Sequence, residues 1–152
     1  MILIKEKNYQ GQISFCGLSE EILYPLFRNG SVTGKLVEPL VCQELGYQKS
    51  EHSQDFYDVT QDGKLWEVRC FTQYGASLIP SNQVGAGRKY NEKEFFEKLD
   101  NIAGFIFIDI RQFPKMTFYK CGGWEAQRLF DKKITVSKFE KFLRENVIES
   151  EI

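Results

Sequence analysis

Three side chains of this 152-residue sequence combine residue types and spacing that suit hydrolytic chemistry: Asp58, Glu67 and Arg69. Asp62 and Gly63 lie between the two acids, and Asp-Gly is a favoured pair for a tight hairpin turn. We therefore expect Asp58 and Glu67 on adjacent strands, with Cβ atoms about 5 Å apart. Strand alternation places Arg69 on the same face as Glu67.

A divalent cation would explain this pair of acids. Two carboxylates at such a spacing repel each other unless a positive charge lies between them. Mg²⁺ binds one or two carboxylates together with waters and phosphate oxygens. With Arg69 beside it, the patch can hold a metal, orient a water and bind a phosphate. We predict a Mg²⁺ site at Asp58 and Glu67, at which Mn²⁺ can substitute.

The elements around the acids predict a mixed α/β or α+β fold. Apolar spacing, caps and turn residues indicate the order. The sequence predicts a helix from Ser19 to Asn29, a second helix within 33–45, and then a hairpin with strands 56–60 and 64–71. A loop over 74–88 leads to a third helix, which opens at Asn91 or Glu92. A buried strand over 104–110, a further strand over 116–121 and two helices, over 124–130 and 137–146, complete the order.

The pattern Asp58-x8-Glu67-Val68-Arg69 resembles the motif of the PD-(D/E)XK nucleases, and the element order over about residues 33–121 resembles that family's core. The resemblance implies a restriction-endonuclease-like mixed central sheet flanked by helices. It implies one domain over 1–152, with the N-terminal segment and the C-terminal helices added to the core. It also implies a catalytic role for Glu38, an acid on the second helix.

The resemblance further implies a Mg²⁺-dependent, site-specific DNA endonuclease of the restriction or homing type, which leaves 5′-phosphate and 3′-hydroxyl ends. Its partner would be double-stranded DNA. A chain of this size is expected to make one cut per subunit, so cutting both strands would require a homodimer or a higher homo-oligomer. Junction resolvases and repair nucleases are further candidates within the family.

Two residues depart from the family's pattern: Tyr57 stands where the family has proline, and Arg69 stands where it has lysine. Arginine stays protonated and cannot act as a base. It can still bind a phosphate through two hydrogen bonds, so we predict that Arg69 is catalytic through its charge. The alternative is a catalytically silent DNA-binding or assembly protein of the same fold. A small-molecule enzyme that uses the same acids is a third interpretation.

The loop after the hairpin is predicted to contact DNA. Its glycines, Gly85 and Gly87, allow backbone N–H groups to approach phosphates closely. Asparagine and glutamine can pair with adenine edges, and the basic residues add charge. The predicted DNA-binding residues are Ser81, Asn82, Gln83, Arg88, Lys89 and Tyr90. Residues 64–120 carry nine basic and six acidic side chains, which favours DNA contact on one side of the protein.

The composition limits the remaining classes. Net charge is −1, from 20 basic and 21 acidic residues, so bulk charge identifies no partner. The single histidine, His52, excludes mechanisms that need two, and four scattered cysteines without a C-x-x-C pair argue against a zinc ribbon. No apolar run reaches the roughly 18 residues of a membrane span, and the start lacks a signal-peptide core. We expect a cytoplasmic protein of bacterial or phage origin, with no membrane partner.

Overall fold

The computed structural model describes residues 1–51, 57–146 and 148–152. Within those ranges the chain forms five α-helices, a seven-stranded mixed sheet and a small two-stranded sheet, which confirms the predicted α/β class. His52 and Phe56, the first residue of the predicted hairpin, lie outside the described residues. No helix of the described ranges is long and apolar enough to cross a membrane.

The elements follow one another around a central sheet. In chain order they are β1 (Ile2–Asn8), α1 (Glu20–Phe27), α2 (Val37–Leu45), β2 (Gln48–Lys49), β3 (Val59–Gln61), β4 (Lys64–Phe71), β5 (Ala76–Ser77), α3 (Glu92–Asn101), β6 (Gly104–Asp109), β7 (Lys115–Gly122), α4 (Gly123–Phe130), β8 (Lys133–Ile134), α5 (Val136–Glu145) and β9 (Glu149–Ser150), with 3₁₀ turns at Thr33–Lys35 and Ser81–Gln83. The large sheet has the order β2-β3-β4-β6-β7-β1-β9, and β5 pairs with β8.

The hairpin of β3 and β4 forms as the sequence predicts. Asp62 and Gly63 both have positive φ, at 51° and 74°, the conformation that a type I′ turn requires of its two central residues. β4 covers 64–71, and Val59 lies opposite Trp66. Asp58 is the residue before Val59, so it lies at the end of this ladder, close to β4.

Asp58 itself precedes β3 rather than lying within it, which corrects the predicted strand of 56–60. Its backbone nevertheless continues the ladder on both sides. The Asp58 N–H donates to the Trp66 carbonyl at 3.0 Å, and its carbonyl accepts from the Ser50 N–H at 2.9 Å. Asp58 is thus held between two neighbouring strands, so its position is fixed although the strand is short.

The second predicted helix begins with a 3₁₀ turn, and its regular part, α2, starts at Val37. Pro39 lies in the first turn, where a backbone N–H has no partner within the helix, so its ring costs no hydrogen bond. Gly46 ends the helix in the left-handed region, with φ of 74°. Glu38 therefore lies in the first turn of α2.

The buried strand β6 divides the core into two layers. Phe105 and Phe107 pack on one face with residues of α3, α4 and α5. Ile106 and Ile108 pack on the other face, together with residues of α2. Val68 of β4 belongs to the second layer, so Glu67 and Arg69 project from β4 into the layer that contains α3.

The structure adds elements that the sequence analysis missed. The predicted loop over 74–88 contains β5 and the second 3₁₀ turn, and β2, β8 and β9 are also new. Each of these strands has two residues, too few to show alternation.

The N-terminal strand β1 pairs along its length with β7. The C-terminal β9 pairs with β1, so both ends of the chain extend the central sheet.

Candidate active site

The predicted site residues Asp58, Glu67 and Arg69 lie close together at the hairpin. The Arg69 guanidinium lies between the two acids: its Nη2 is 2.7 Å from Glu67 Oε1, and its Nη1 is 3.9 Å from Asp58 Oδ2. The three side chains are sheltered, with exposed fractions of 24% for Asp58, 7% for Glu67 and 17% for Arg69. The hairpin therefore brings two carboxylates and one cation together on one face of the sheet.

Asp58 carries the most perturbed carboxyl of the group. Burial and the nearby charge of Glu67 raise its pKa to about 6, against the lowering effects of the Val68 N–H and Arg69. That N–H donates to Asp58 Oδ2 at 2.8 Å. The charge of Glu38 also raises the pKa of Asp58. The third predicted acid, at the start of α2, thus lies within electrostatic range of the hairpin.

Glu67 is buried and ion-paired to two cations. Its Oε1 accepts a hydrogen bond from Lys98 Nζ at 2.8 Å and lies beside the Arg69 guanidinium. Lys98 belongs to α3, on the side that also buries Phe95 and Leu99. Sequence analysis did not identify Lys98, because a lysine in a charged helix is usually a surface residue. The one signal was its place beside the apolar positions of that helix.

Arg69 is anchored to the backbone as well as to the acids. Its Nε donates to the Ser77 carbonyl at 3.1 Å, and its Nη1 donates to the Val68 carbonyl at 3.2 Å. Nη2 is enclosed by protein and forms no aligned hydrogen bond with the residues that the structure describes, although it is close to Glu67. The contact of Nη2 with Glu67 is therefore an ion pair, and the guanidinium also joins β4 to β5.

The donor set suits a hard divalent cation. Carboxylate oxygens are the ligands that Mg²⁺ and Mn²⁺ prefer, and Asp58 and Glu67 supply them here, with the charge of Glu38 close enough to act on Asp58. Among residues 1–51, 57–146 and 148–152, no group of three His, Cys, Asp or Glu side chains encloses a metal position. An ion held by Asp58 and Glu67 would complete its shell with water and substrate oxygens, as Mg²⁺ commonly does.

The predicted loop over 74–88, which carries the predicted DNA-binding residues, passes beside this site at Ser77, whose carbonyl accepts from Arg69. Five of the six predicted DNA-binding residues are exposed: Ser81, Asn82, Arg88, Lys89 and Tyr90. Arg88 Nη1 donates to the Ser81 carbonyl at 2.8 Å and to a second loop carbonyl at 3.2 Å, which closes the loop on itself. Tyr90 is 37% exposed.

Gln83 behaves differently from its neighbours, because it is buried with 6% of its surface exposed. Its Oε1 accepts from the Asn91 N–H at 2.9 Å, and its Nε2 donates to Glu94 Oε2 at 3.2 Å. The Gln83 amide therefore fastens the loop to the start of α3. Glu94 and Lys98 are one helical turn apart, so α3 contacts both the loop and the acid Glu67.

The raised pKa of Asp58 predicts how stability depends on pH in the absence of divalent cations. A carboxyl whose pKa is higher in the folded state stabilises the fold at low pH, and this contribution is lost as pH rises through the folded value, about 6 here. We compare two melting temperatures, that of the wild type and that of Asp58→Asn. Their difference, wild type minus variant, is expected to decrease by roughly 2–6 °C between pH 4 and pH 7. Thermal melts in EDTA measure this difference, and a difference that does not change with pH would contradict the assignment.

No protein-family model, no curated protein and no solved structure matches this chain.

Proposed function

We propose that this protein is a Mg²⁺-dependent DNA endonuclease of the PD-(D/E)XK type, which hydrolyses phosphodiester bonds to 5′-phosphate and 3′-hydroxyl ends. The observation that supports the proposal is the convergence of Asp58, Glu67 and Arg69 on one sheltered face of the hairpin. Mutual repulsion helps to raise the pKa of Asp58 to about 6. Two neighbouring acids in a sheltered position, one of them with a strongly raised pKa, are typical of a functional site.

In this proposal Asp58 and Glu67 hold the ion through the carboxylate oxygens that point away from their protein partners. Asp58 Oδ2 is occupied by the Val68 N–H, and Glu67 Oε1 by Lys98. When bound, Mg²⁺ supplies a water of lowered pKa and neutralises charge on the phosphate. The water oxygen would form a bond to phosphorus and release its proton to solvent, while the bond from phosphorus to the 3′-oxygen would break and that oxygen would take up a proton from solvent. Arg69 keeps the two acids close, and Glu38 adds negative charge beside Asp58.

Double-stranded DNA is the proposed substrate. The exposed residues Ser81, Asn82, Arg88 and Lys89 follow directly from the strand that Arg69 contacts. They would lie along the nucleic acid next to the scissile phosphate, with Tyr90 at the end of the loop. Cutting both strands would require a homodimer or a higher homo-oligomer, and we place the protein in the cytoplasm of a bacterial or phage-infected cell.

Cleavage of supercoiled plasmid tests this function. Purified protein is incubated with plasmids of varied sequence in Mg²⁺, Mn²⁺, Ca²⁺ or EDTA, and the product ends are sequenced and tested for 5′-phosphate. We expect nicking or linearisation with Mg²⁺ and Mn²⁺, discrete cut positions, and no cleavage in EDTA. Ends with a 3′-phosphate, or cleavage that persists in EDTA, would contradict the proposed chemistry.

A catalytically silent DNA-binding or assembly protein is the second candidate. The observation that favours it is Arg69, which cannot release a proton and whose Nε and Nη1 donate to backbone carbonyls. The two candidates differ in whether the wild type cleaves DNA. If the wild type nicks no DNA tested with either cation, yet binds DNA with an affinity that Asp58→Ala leaves unchanged, the binding role is supported.

A further inference from the structure

We propose that Lys98, on helix α3, is a catalytic residue whose ammonium contacts the reacting phosphate, and that Arg69 is a positioning residue. The inference rests on the proposed nuclease function. It assigns the phosphate contact to a side chain outside the hairpin motif. Three observations support it: the free donors of Lys98, the occupied donors of Arg69 and the charge balance of the site.

Within the part of the chain that the structure describes, the Lys98 ammonium donates a single hydrogen bond. An ammonium group has three N–H bonds, and Lys98 Nζ uses one of them on Glu67 Oε1, at 2.8 Å. Its side chain is 11% exposed, whereas Lys93 on the same helix is 86% exposed. Burying a lysine is costly unless it is paired. Lys98 is therefore held at the candidate site, with unused donors within the reach of a ligand bound beside Glu67.

Arg69 is less able to bind a phosphate. Its Nε and Nη1 donate to the Ser77 and Val68 carbonyls, and its Nη2 is enclosed by protein. A bidentate phosphate contact needs two adjacent N–H groups that face the ligand. Arg69 would have to break its backbone contacts to offer them. Its present contacts instead hold β4 against β5 and keep Asp58 and Glu67 close.

The charge balance of the site with a divalent cation bound favours an anionic ligand. Glu67 contacts both Arg69 and Lys98, and Arg69 Nη1 also lies 3.9 Å from Asp58 Oδ2. With a divalent cation added, the ionised side chains of Asp58, Glu67, Glu38, Arg69 and Lys98 would leave about one positive charge in excess. A phosphodiester carries one negative charge and would balance it.

The test compares Lys98→Met and Lys98→Arg with the control Lys93→Met, which removes an exposed lysine from the same helix. Single-turnover plasmid cleavage is measured at saturating Mg²⁺, and Mn²⁺ affinity is measured by calorimetry without DNA. We expect Lys98→Met to slow cleavage by about 10²–10³-fold, the usual cost of one donor to a developing charge. Lys98→Arg should recover about tenfold or more of that loss because it restores the charge. Lys93→Met should cleave like the wild type.

Mn²⁺ affinity separates contact with the phosphate from orientation of Glu67. Removing Lys98 takes away a positive charge that competes with the ion, so we expect the Mn²⁺ dissociation constant to stay within about threefold of the wild type or to decrease. A tenfold weaker Mn²⁺ affinity, with cleavage restored at high Mn²⁺, would show that Lys98 only orients Glu67. Unchanged cleavage by Lys98→Met would overturn the inference alone. A wild type that cleaves no DNA would overturn the nuclease function, and the inference with it.

Discussion

Replacing Asp58 with asparagine is expected to reduce DNA cleavage by about 10³-fold or more while leaving the fold intact, because the neutral amide no longer binds the catalytic cation. The amide oxygen of asparagine can still accept the hydrogen bond from the Val68 N–H, which Asp58 Oδ2 now accepts at 2.8 Å. The measurement is single-turnover plasmid cleavage in Mg²⁺, with DNA affinity measured in Ca²⁺. We expect the affinity to change little.

The stability of Asp58→Asn makes this prediction more specific. Burial and the charge of Glu67 disfavour ionised Asp58, as its pKa of about 6 indicates. Above pH 7 and without divalent cations, the variant should therefore be as stable as the wild type or more stable. The control is Asp62→Asn, at an exposed turn position with positive φ that asparagine tolerates well. Full cleavage activity in Asp58→Asn would contradict the proposed role of Asp58.

Replacing Glu67 with glutamine is expected to abolish cleavage and also to destabilise the fold, in contrast to Asp58→Asn. Glu67 is buried, and its carboxylate neutralises both Arg69 and Lys98. Removing one partner of a buried ion pair leaves uncompensated charge, so we expect the free energy of unfolding to fall by about 2–4 kcal/mol. For a chain of this length, that loss lowers the melting temperature by roughly 5–15 °C. Denaturant titration and thermal melts measure both quantities.

A matched control for Glu67→Gln is Glu97→Gln, which removes an acid that is 60% exposed and paired only across the surface of α3. Its effect on the free energy of unfolding should stay within about 0.5 kcal/mol. Adding Lys98→Met to Glu67→Gln removes one of the two unbalanced cations and should restore part of the lost stability. Equal stability of Glu67→Gln and the wild type would show that the two cations do not depend on Glu67.

Local sequence signals predicted most of the frame around the site. The Asp62-Gly63 turn and the alternation of 64–71 fixed the hairpin register, because both depend on neighbouring residues. The helix boundaries followed from caps and breakers, such as Asn91, whose side chain accepts from the Glu94 N–H at 3.1 Å, and Gly46. The strands of two residues could not be predicted, since pairing with distant segments creates them.

At the candidate site, too, contacts within one hairpin could be predicted and contacts between distant segments could not. Asp58, Glu67 and Arg69 were predictable together because a single hairpin positions all three. Lys98 reaches Glu67 across 31 positions of the sequence, so only the packing of α3 over β4 reveals the contact. Gln83 was predicted to bind DNA from its residue type alone. Its contacts with the start of α3 depend on how the loop folds back.

Under the proposed nuclease function, the two contacts of α3, with the loop and with Glu67, have a consequence for engineering sequence specificity. The helix contacts the loop through Glu94 and the buried acid Glu67 through Lys98, and a helix is stiff over such a short distance. A library that randomises positions 81, 82, 88 and 89 changes exposed side chains and leaves those two contacts in place. Including position 83 would remove the contacts of Gln83 with Asn91 and Glu94, so we predict that variants at this position lose stability and, under the proposed nuclease function, cleave more slowly.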